Sequence, residues 1–152
     1  VAEYDMYGAI NNREDTPINF PLIRYADVLL MLAECYNQTD QQTKAVEKIN
    51  QVRERVGMPG LNSGPEYLKA TTKDEVFKRI RHERAVELAG EGHSFSDMKR
   101  WKLLESLDGQ VKGFTGQFYY NRVVQERDYL WPIPNGEMEK NPNLKGDQNP
   151  GW

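Results

Sequence analysis

Two carboxylates four residues apart, Glu83 and Glu87, are the first groups in this sequence whose spacing could do chemistry. On a helix they share a face, and a paired acid and base could divide the proton transfers of glycoside hydrolysis. A catalytic acid must hold its proton near neutral pH. Arg81, Arg84 and Arg100 lie close by, and neighbouring guanidinium groups favour the ionised carboxylate, so the two acids read as ion-pairing rather than catalytic. His82 and His93 stand eleven residues apart with no third ligand at useful spacing, which argues against zinc. Ser94 and Ser96 beside His93 suggest a nucleophile and its base, but no Gly-x-Ser-x-Gly elbow and no acid placed to orient the histidine accompany them. There is no Gly-x-Gly-x-x-Gly and no phosphate loop, and Glu91, flanked by Gly90 and Gly92, would repel an anion. No enzyme activity, metal or cofactor is expected.

Sugar binding makes different demands. A pyranose presents an apolar C–H face and a rim of hydroxyls, so it needs aromatic faces together with amide, carboxylate or guanidinium groups. Tyr119, Tyr120, Asn121 and Arg122, preceded by Phe118, supply that mixture in a non-helical stretch and are the candidate glycan-binding residues. The competing reading turns Phe118 and Tyr120 inward and lays Tyr119 over backbone. Tyr4, Tyr7 and Tyr67 are weaker candidates of the same type, while Trp101, Trp131 and Trp152 are expected as core or tail anchors.

The charges of the third helix make a structural demand. Phe77, Ile80, Arg84 and Leu88 recur at spacings of three and four, so a guanidinium shares the stripe that should face inward. A charge there is tolerable only when paired and hydrogen-bonded. The nearest candidates are Glu83, Glu87, Asp97 and Arg100. With Arg24, Glu34 and Arg53 they make an expected buried network, and Asp27, Asn50 and Arg55 read as further helix-to-helix ties.

The elements that must position these residues follow from pattern. Leu22 to Asn37 reads as a central helix, apolar around most of its circumference. Ala45, Ile49, Val52 and Val56 mark a second, packed back antiparallel and stopped by Gly57 in a left-handed cap. A loop over 57–71 leads to a capping box, Thr72 with Glu75, and a third helix from Lys73 to about Gly90. Asp97 to Leu104 reads as a short fourth helix. Strand or irregular loop are both open for 108–129. The tail, with Pro132, Pro134, Pro142 and Pro150, is expected to be extended coil laid over the helices. The organisation is thus an irregular leading segment over 1–21, helical hairpins over 22–104, and a loop and extended tail over 105–152: an all-α fold of two tetratricopeptide-like hairpins with a possible small β element. An offset of about 50 residues between hairpins departs from the usual period of about 34 residues, and two units fall short of the three or so that stabilise a solenoid. More polypeptide is therefore expected.

Composition closes off other classes. The 152 residues are enough for one domain with a true core. A net charge of -3 leaves no basic excess for phosphates, so nucleic acid is excluded as the principal partner. The most apolar run, Val28 to Ala33, is far below the roughly 20 residues of a membrane span. Cys35, the single cysteine, cannot form an internal disulfide and is expected to be a small buried side chain.

Five segments in order across 21–152 resemble the C-terminal part of the SusD/RagB family, surface nutrient-binding lipoproteins of Bacteroidetes. They are Pro21 to Glu34, Ile49 to Gly57, Glu83 to Trp101, Leu130-Trp131-Pro132-Ile133-Pro134 and Gln148-Asn149-Pro150-Gly151-Trp152. The last resembles the family's own terminus and so implies that the chain ends at its natural end. Ser94 stands where the family often has an arginine after the Glu-Gly turn, and 105–129 match no family segment. The resemblance implies a fragment of a longer parent, without its signal peptide, lipidated cysteine and N-terminal helices. It further implies a non-catalytic protein, lipid-anchored at the outer membrane with no transmembrane helix, that captures oligosaccharide or polysaccharide. The ligand would pass to a SusC-like TonB-dependent transporter. A peptide-binding RagB-like lipoprotein and a helical-repeat protein-interaction module are the alternatives; a polysaccharide hydrolase would need two arginine-free carboxylates about 5 to 10 Å apart.

Overall fold

The computed structural model describes residues 21–144 and 146–152, so Tyr4 and Tyr7 and nearly all of the leading segment fall outside the described residues. These residues form five α-helices, α1 Tyr25–Gln38, α2 Gln42–Arg55, α3 Lys73–Glu87, α4 His93–Arg100 and α5 Asn135–Lys140, and a two-stranded antiparallel sheet of β1 Gly109–Lys112 and β2 Phe118–Arg122. The molecule is mainly helical with a small β element, as the pattern predicts. It divides into two compact units, with the boundary between Glu87 and Leu88.

In the first unit, α1, α2 and α3 pack around Leu30, Ala33, Ala45, Ile49, Val76 and Ile80, all fully buried. Burying each large aliphatic side chain stabilises by about 1.5–3 kcal/mol. Local signals set the helix ends. At the end of α2, Gly57 takes φ +69°, Met58 N–H donates to the Arg53 carbonyl (3.0 Å) and Gly57 N–H to the Glu54 carbonyl (3.0 Å). This is a Schellman cap, which needs the left-handed residue that glycine supplies without strain. The capping box of α3 forms as expected: Glu75 N–H donates to Thr72 Oγ1 (3.3 Å), and Glu75 Oε2 accepts from the Thr72 (3.0 Å) and Thr71 (2.9 Å) amides.

The loop between α2 and α3 is held by side-chain amides that imitate backbone. Asn50 accepts from Leu61 N–H (2.7 Å) and donates to its carbonyl (3.2 Å). Asn62 does the same to Ala70 at 2.7 and 2.8 Å. Each pairing satisfies two backbone groups of a non-helical segment and lets Leu61, Leu68 and Ala70 enter the core. Asn50 therefore ties a loop rather than a neighbouring helix.

Charge fixes how α3 meets the other two helices. At its C-terminal end Arg84 pairs with Asp27 of α1 (2.8 Å), Glu83 with Arg53 of α2, and Glu87 with Arg24 (3.0 Å) and Arg55 (2.8 Å). At its other end the Lys73 carbonyl accepts from Asn37, and Lys73 Nζ reaches the Gln38 carbonyl and Asp40, each at 3.0 Å. α1 and α3 are therefore antiparallel and tied at both ends. Arg84 finds Asp27, fifty-seven residues away along the chain, a partner outside the four nearest candidates. Asp27, Arg53, Glu83 and Arg84 are each less than a tenth exposed, whereas Glu34 is half-buried on α1.

Several expectations are corrected. α4 begins and ends four residues earlier than the expected Asp97–Leu104, because Gly92 at φ +85° supplies its N-cap. The tail is not all extended: α5 and the 3-10 turn Pro142–Leu144 interrupt it, since Pro134 stands at the N-cap of α5, where its missing N–H costs nothing. Cys35 is exposed, because it lies opposite the buried stripe of α1. It shares that outer face with Tyr25, Val28 and Leu32, which are also exposed, so α1 is apolar on two sides but covered on one among the described residues.

Among the described residues of the second unit the buried apolar side chains are few, Leu88, Leu104 and Tyr129. The Tyr129 hydroxyl donates to Glu105 Oε2 and accepts from Leu104 N–H (3.0 Å). Burial, followed by the adjacent Glu105 carboxylate, pushes the Tyr129 phenol up, and the same hydrogen bond holds Glu105 below the usual carboxylate range.

Replacing Arg53 by methionine leaves the Glu83 carboxylate buried and unpaired, and chemical denaturation should show a loss of about 3–5 kcal/mol; Arg55→Ala, at the exposed end of the network, should cost under about 1 kcal/mol. Glu75 gives a pH signature. The Thr71 amide first, then the Thr72 amide and hydroxyl, lower it from 4.5 to about 2. A carboxyl depressed in the fold stabilises above its unfolded pKa and loses that contribution as pH falls through the folded one. The melting-temperature gap between wild type and Glu75→Gln should therefore shrink as pH is lowered from about 5 to about 2.

Candidate functional site

The second unit carries an open apolar cleft of about 660 Å³. Its walls come from three places: Phe95 and Met98 of α4, Leu104 and Leu107 of the turn after it, and the segment Leu130-Trp131 with the terminal Trp152. Arg122, Val123 and Val124, at and beyond the end of β2, close one side, and Asp128 and Ser94 add the other polar groups. Trp131 is 74% exposed and Phe95 53%, so both offer ring faces to solvent.

Polar clamps on the tail hold this aromatic surface in place. Gln148 accepts from Ile133 N–H (2.8 Å) and donates to the Ile133 carbonyl (3.0 Å), the same backbone imitation that Asn50 and Asn62 perform. Asn149 Nδ2 donates to the Trp131 carbonyl. Trp152 Nε1 donates to the carbonyls of Leu130 (3.0 Å) and Arg127 (3.2 Å), while the Arg127 guanidinium lies 5.0 Å over its ring. Gly151 is required here: its φ is +85°, and a Cβ would come within 2.8 Å of Arg127 Cβ. Two segments far from each other in sequence pattern, Leu130 to Pro134 and Gln148 to Trp152, are thus one structural device.

Cations stand against the aromatic rings. Lys99 Nζ lies 5.4 Å from the Phe95 ring centre and 5.3 Å from that of Trp131, each within the range of cation–π attraction. Arg100 pairs with Asp97 (2.9 Å) and lies 4.5 Å over Trp101. Asp97 and Arg100 are therefore tied within α4, at a spacing of three.

Of the four residues singled out for sugar binding, only Arg122 lines the cleft. Gly109 faces Arg122, Gln110 faces Asn121, and Val111 faces Tyr120, after which a bulge leaves Tyr119 without a partner opposite. Tyr119 lies against Gly113, where an added Cβ would meet its ring at 2.8 Å. It covers backbone, as one reading of the sequence had it, but Phe118 and Tyr120 are each 52% exposed rather than turned inward. Tyr120 and Arg122, two apart on a strand, share a face.

Sequence reasoning missed Phe95 and Trp131 as site residues. Trp131, expected as a core or tail anchor, is exposed, while Tyr129 two residues earlier is buried. A large aromatic before a proline, with a sparse supply of apolar partners in 105–152, was the available signal.

Among the described residues no group of three or more His, Cys, Asp or Glu side chains could hold a metal, and no helix is long and apolar enough to cross a membrane. His82 is exposed on α3, and His93, half-buried, opens α4. A second groove, between α1 and α2 of the first unit, is lined by Arg24, Tyr25, Leu29, Gln51, Glu54 and Arg55 among others. Two of its lining residues, Arg24 and Arg55, are already committed to Glu87.

The SusD family model matches residues 3–152. The chain is 34% identical over 147 residues to SusD-like protein P38 of Formosa agariphila, spanning 95% of this chain and 27% of that protein. It is 33% identical over 156 residues to SusD-like protein P2 of the same organism, spanning 100% and 30%. Among solved structures it is similar to a SusD-like protein (BF3747) from Bacteroides fragilis NCTC 9343, with a TM-score of 0.68 at 29% identity over 86% of this chain and 25% of that one. It is also similar to BT4246, with a TM-score of 0.69 at 29% identity over 91% and 25%. The chain spans less than a third of the length of these relatives. Because the family pattern runs through nearly all of its residues and the fold is shared, this chain belongs to the SusD family.

Proposed function

We propose that this protein captures glycan without cleaving it, as a surface lipoprotein of the outer membrane, and delivers it to a SusC-like TonB-dependent transporter. Family membership is the observation that carries this reading. The site we assign is the cleft of the second unit, with Trp131 and Phe95 as stacking faces and Arg122 at its wall. Tyr119, Tyr120 and Asn121 extend it along the hairpin, as part of the same exposed strand.

The chemistry of the first unit supports a binding role. Glu83 and Glu87, the one carboxylate pair at catalytic spacing in its third helix, are occupied by Arg53, Arg24 and Arg55, which leaves neither available to protonate a leaving group. The outer stripe of α1 favours a second role for the same protein: Tyr25, Val28 and Leu32 are exposed at helical spacing, a surface suited to a helical neighbour. On this reading the helices are scaffold and protein contact, and the aromatic cleft holds the ligand.

A binding screen on the full-length protein with a panel of oligosaccharides tests the assignment. At least one should bind without release of reducing ends, and Trp131→Ala should weaken it about tenfold, the scale of losing one stacked aromatic contact with its burial. The Tyr119→Ala, Tyr120→Ala double variant should weaken it less. Unchanged affinity in Trp131→Ala would remove the cleft as the site.

A further inference from the structure

We infer that the cleft selects an acidic saccharide, one bearing carboxylate or sulfate, and that Arg122 reads that charge. The inference rests on the glycan-capture reading above and adds the class of sugar to it. Arg122 is half-buried in the cleft wall, and among the described residues its guanidinium has no hydrogen-bonding or ion-pair partner. The nearby cations differ. Arg100 holds Asp97, and Lys99 and Arg127 lie over aromatic rings. A guanidinium drawn partly out of water into an apolar wall loses solvation that only an anion or several acceptors restore. Its planar fork donates two parallel hydrogen bonds to a carboxylate or an oxyanion of similar shape.

Two further cations stand against aromatic rings that line the cleft. Lys99, over the Trp131 ring, and Arg127, over the Trp152 ring, add positive potential near the cleft. Among the described residues Asp128 is the one carboxylate lining the cleft. Its Oδ2 accepts the Gln125 amide (2.8 Å) in the cap of the turn Glu126–Tyr129, and it forms no ion pair with Arg122. The ligand is thereby specified by two features at once: flat rings for the C–H face of a pyranose, and an unsatisfied guanidinium lining the same cleft.

Titration calorimetry on the full-length protein with matched probes separates the possibilities. The probes are oligogalacturonate with its carboxyl-reduced counterpart, and a sulfated galactan oligosaccharide with its desulfated counterpart. Wild type should bind at least one acidic probe about tenfold tighter than its neutral match, with the advantage shrinking as salt is raised. Arg122→Gln should erase the difference between acidic and neutral probes while leaving the melting temperature unchanged, and Arg122→Lys should keep only part of it. Trp131→Ala should weaken acidic and neutral probes alike. Equal binding within both matched pairs by wild type, or a preference that survives Arg122→Gln, would overturn the charge assignment and leave glycan capture standing. Binding of no probe, acidic or neutral, would overturn both.

Discussion

The fold of the first unit depends on one constraint: α3 brings three ionised side chains, Glu83, Arg84 and Glu87, to its contact with α1 and α2, and each must be neutralised there. A hydrophobic stripe alone would let α3 slide or rotate on its neighbours, because apolar contact has no direction. Opposite charges have fixed partners. Asp27 of α1 takes Arg84, Arg53 of α2 takes Glu83, and Glu87 is shared by Arg24 and Arg55. Register and direction of the three-helix unit follow from these pairings, with the core of Leu30, Ile49, Val76 and Ile80 supplying most of the driving force.

The second unit solves a different problem. Its core is small, so polar clamps take over the positioning: Gln148 on Ile133, Asn149 and Trp152 on the carbonyls around Trp131, Tyr129 between Leu104 and Glu105. Amide side chains that pair with backbone recur in both units, at Asn50, Asn62 and Gln148. They order irregular chain without burying further apolar surface. In the second unit this leaves Trp131 and Phe95 exposed on a fixed frame, an arrangement that recognition requires and that a collapsed core would not permit.

Much of this was legible in the residues. The periodicity of Ala45, Ile49 and Val52, the Gly57 stop and the Thr72–Glu75 box mark the first unit correctly, because local propensity and tertiary packing agree there. Arg84 on an apolar stripe announced that an ion pair must exist, but not that Asp27 would supply it, since helix spacing ranks partners by sequence distance and packing does not. Cys35 was misplaced because α1 is apolar on both faces and composition alone cannot say which one is covered. α5 escaped notice because four prolines dominate the tail, though Pro134 at its N-cap favours a helix start. Trp131 reads as a core or tail anchor because it lies in a fold-defining segment; its backbone is indeed clamped, by Asn149, with Gln148 on Ile133 beside it, but the indole is exposed, and no periodicity encodes those hydrogen bonds.

The pairing of α3 with α1 is tested most directly by a double-mutant cycle on Asp27 and Arg84, with Asp27→Leu, Arg84→Met and the double variant compared by chemical denaturation. If these charges satisfy each other in the core, each single variant loses about 3–5 kcal/mol and the double variant loses less than either. Losses that simply add would contradict the account, since they would mean that the two side chains act independently and that something else sets the register of α3.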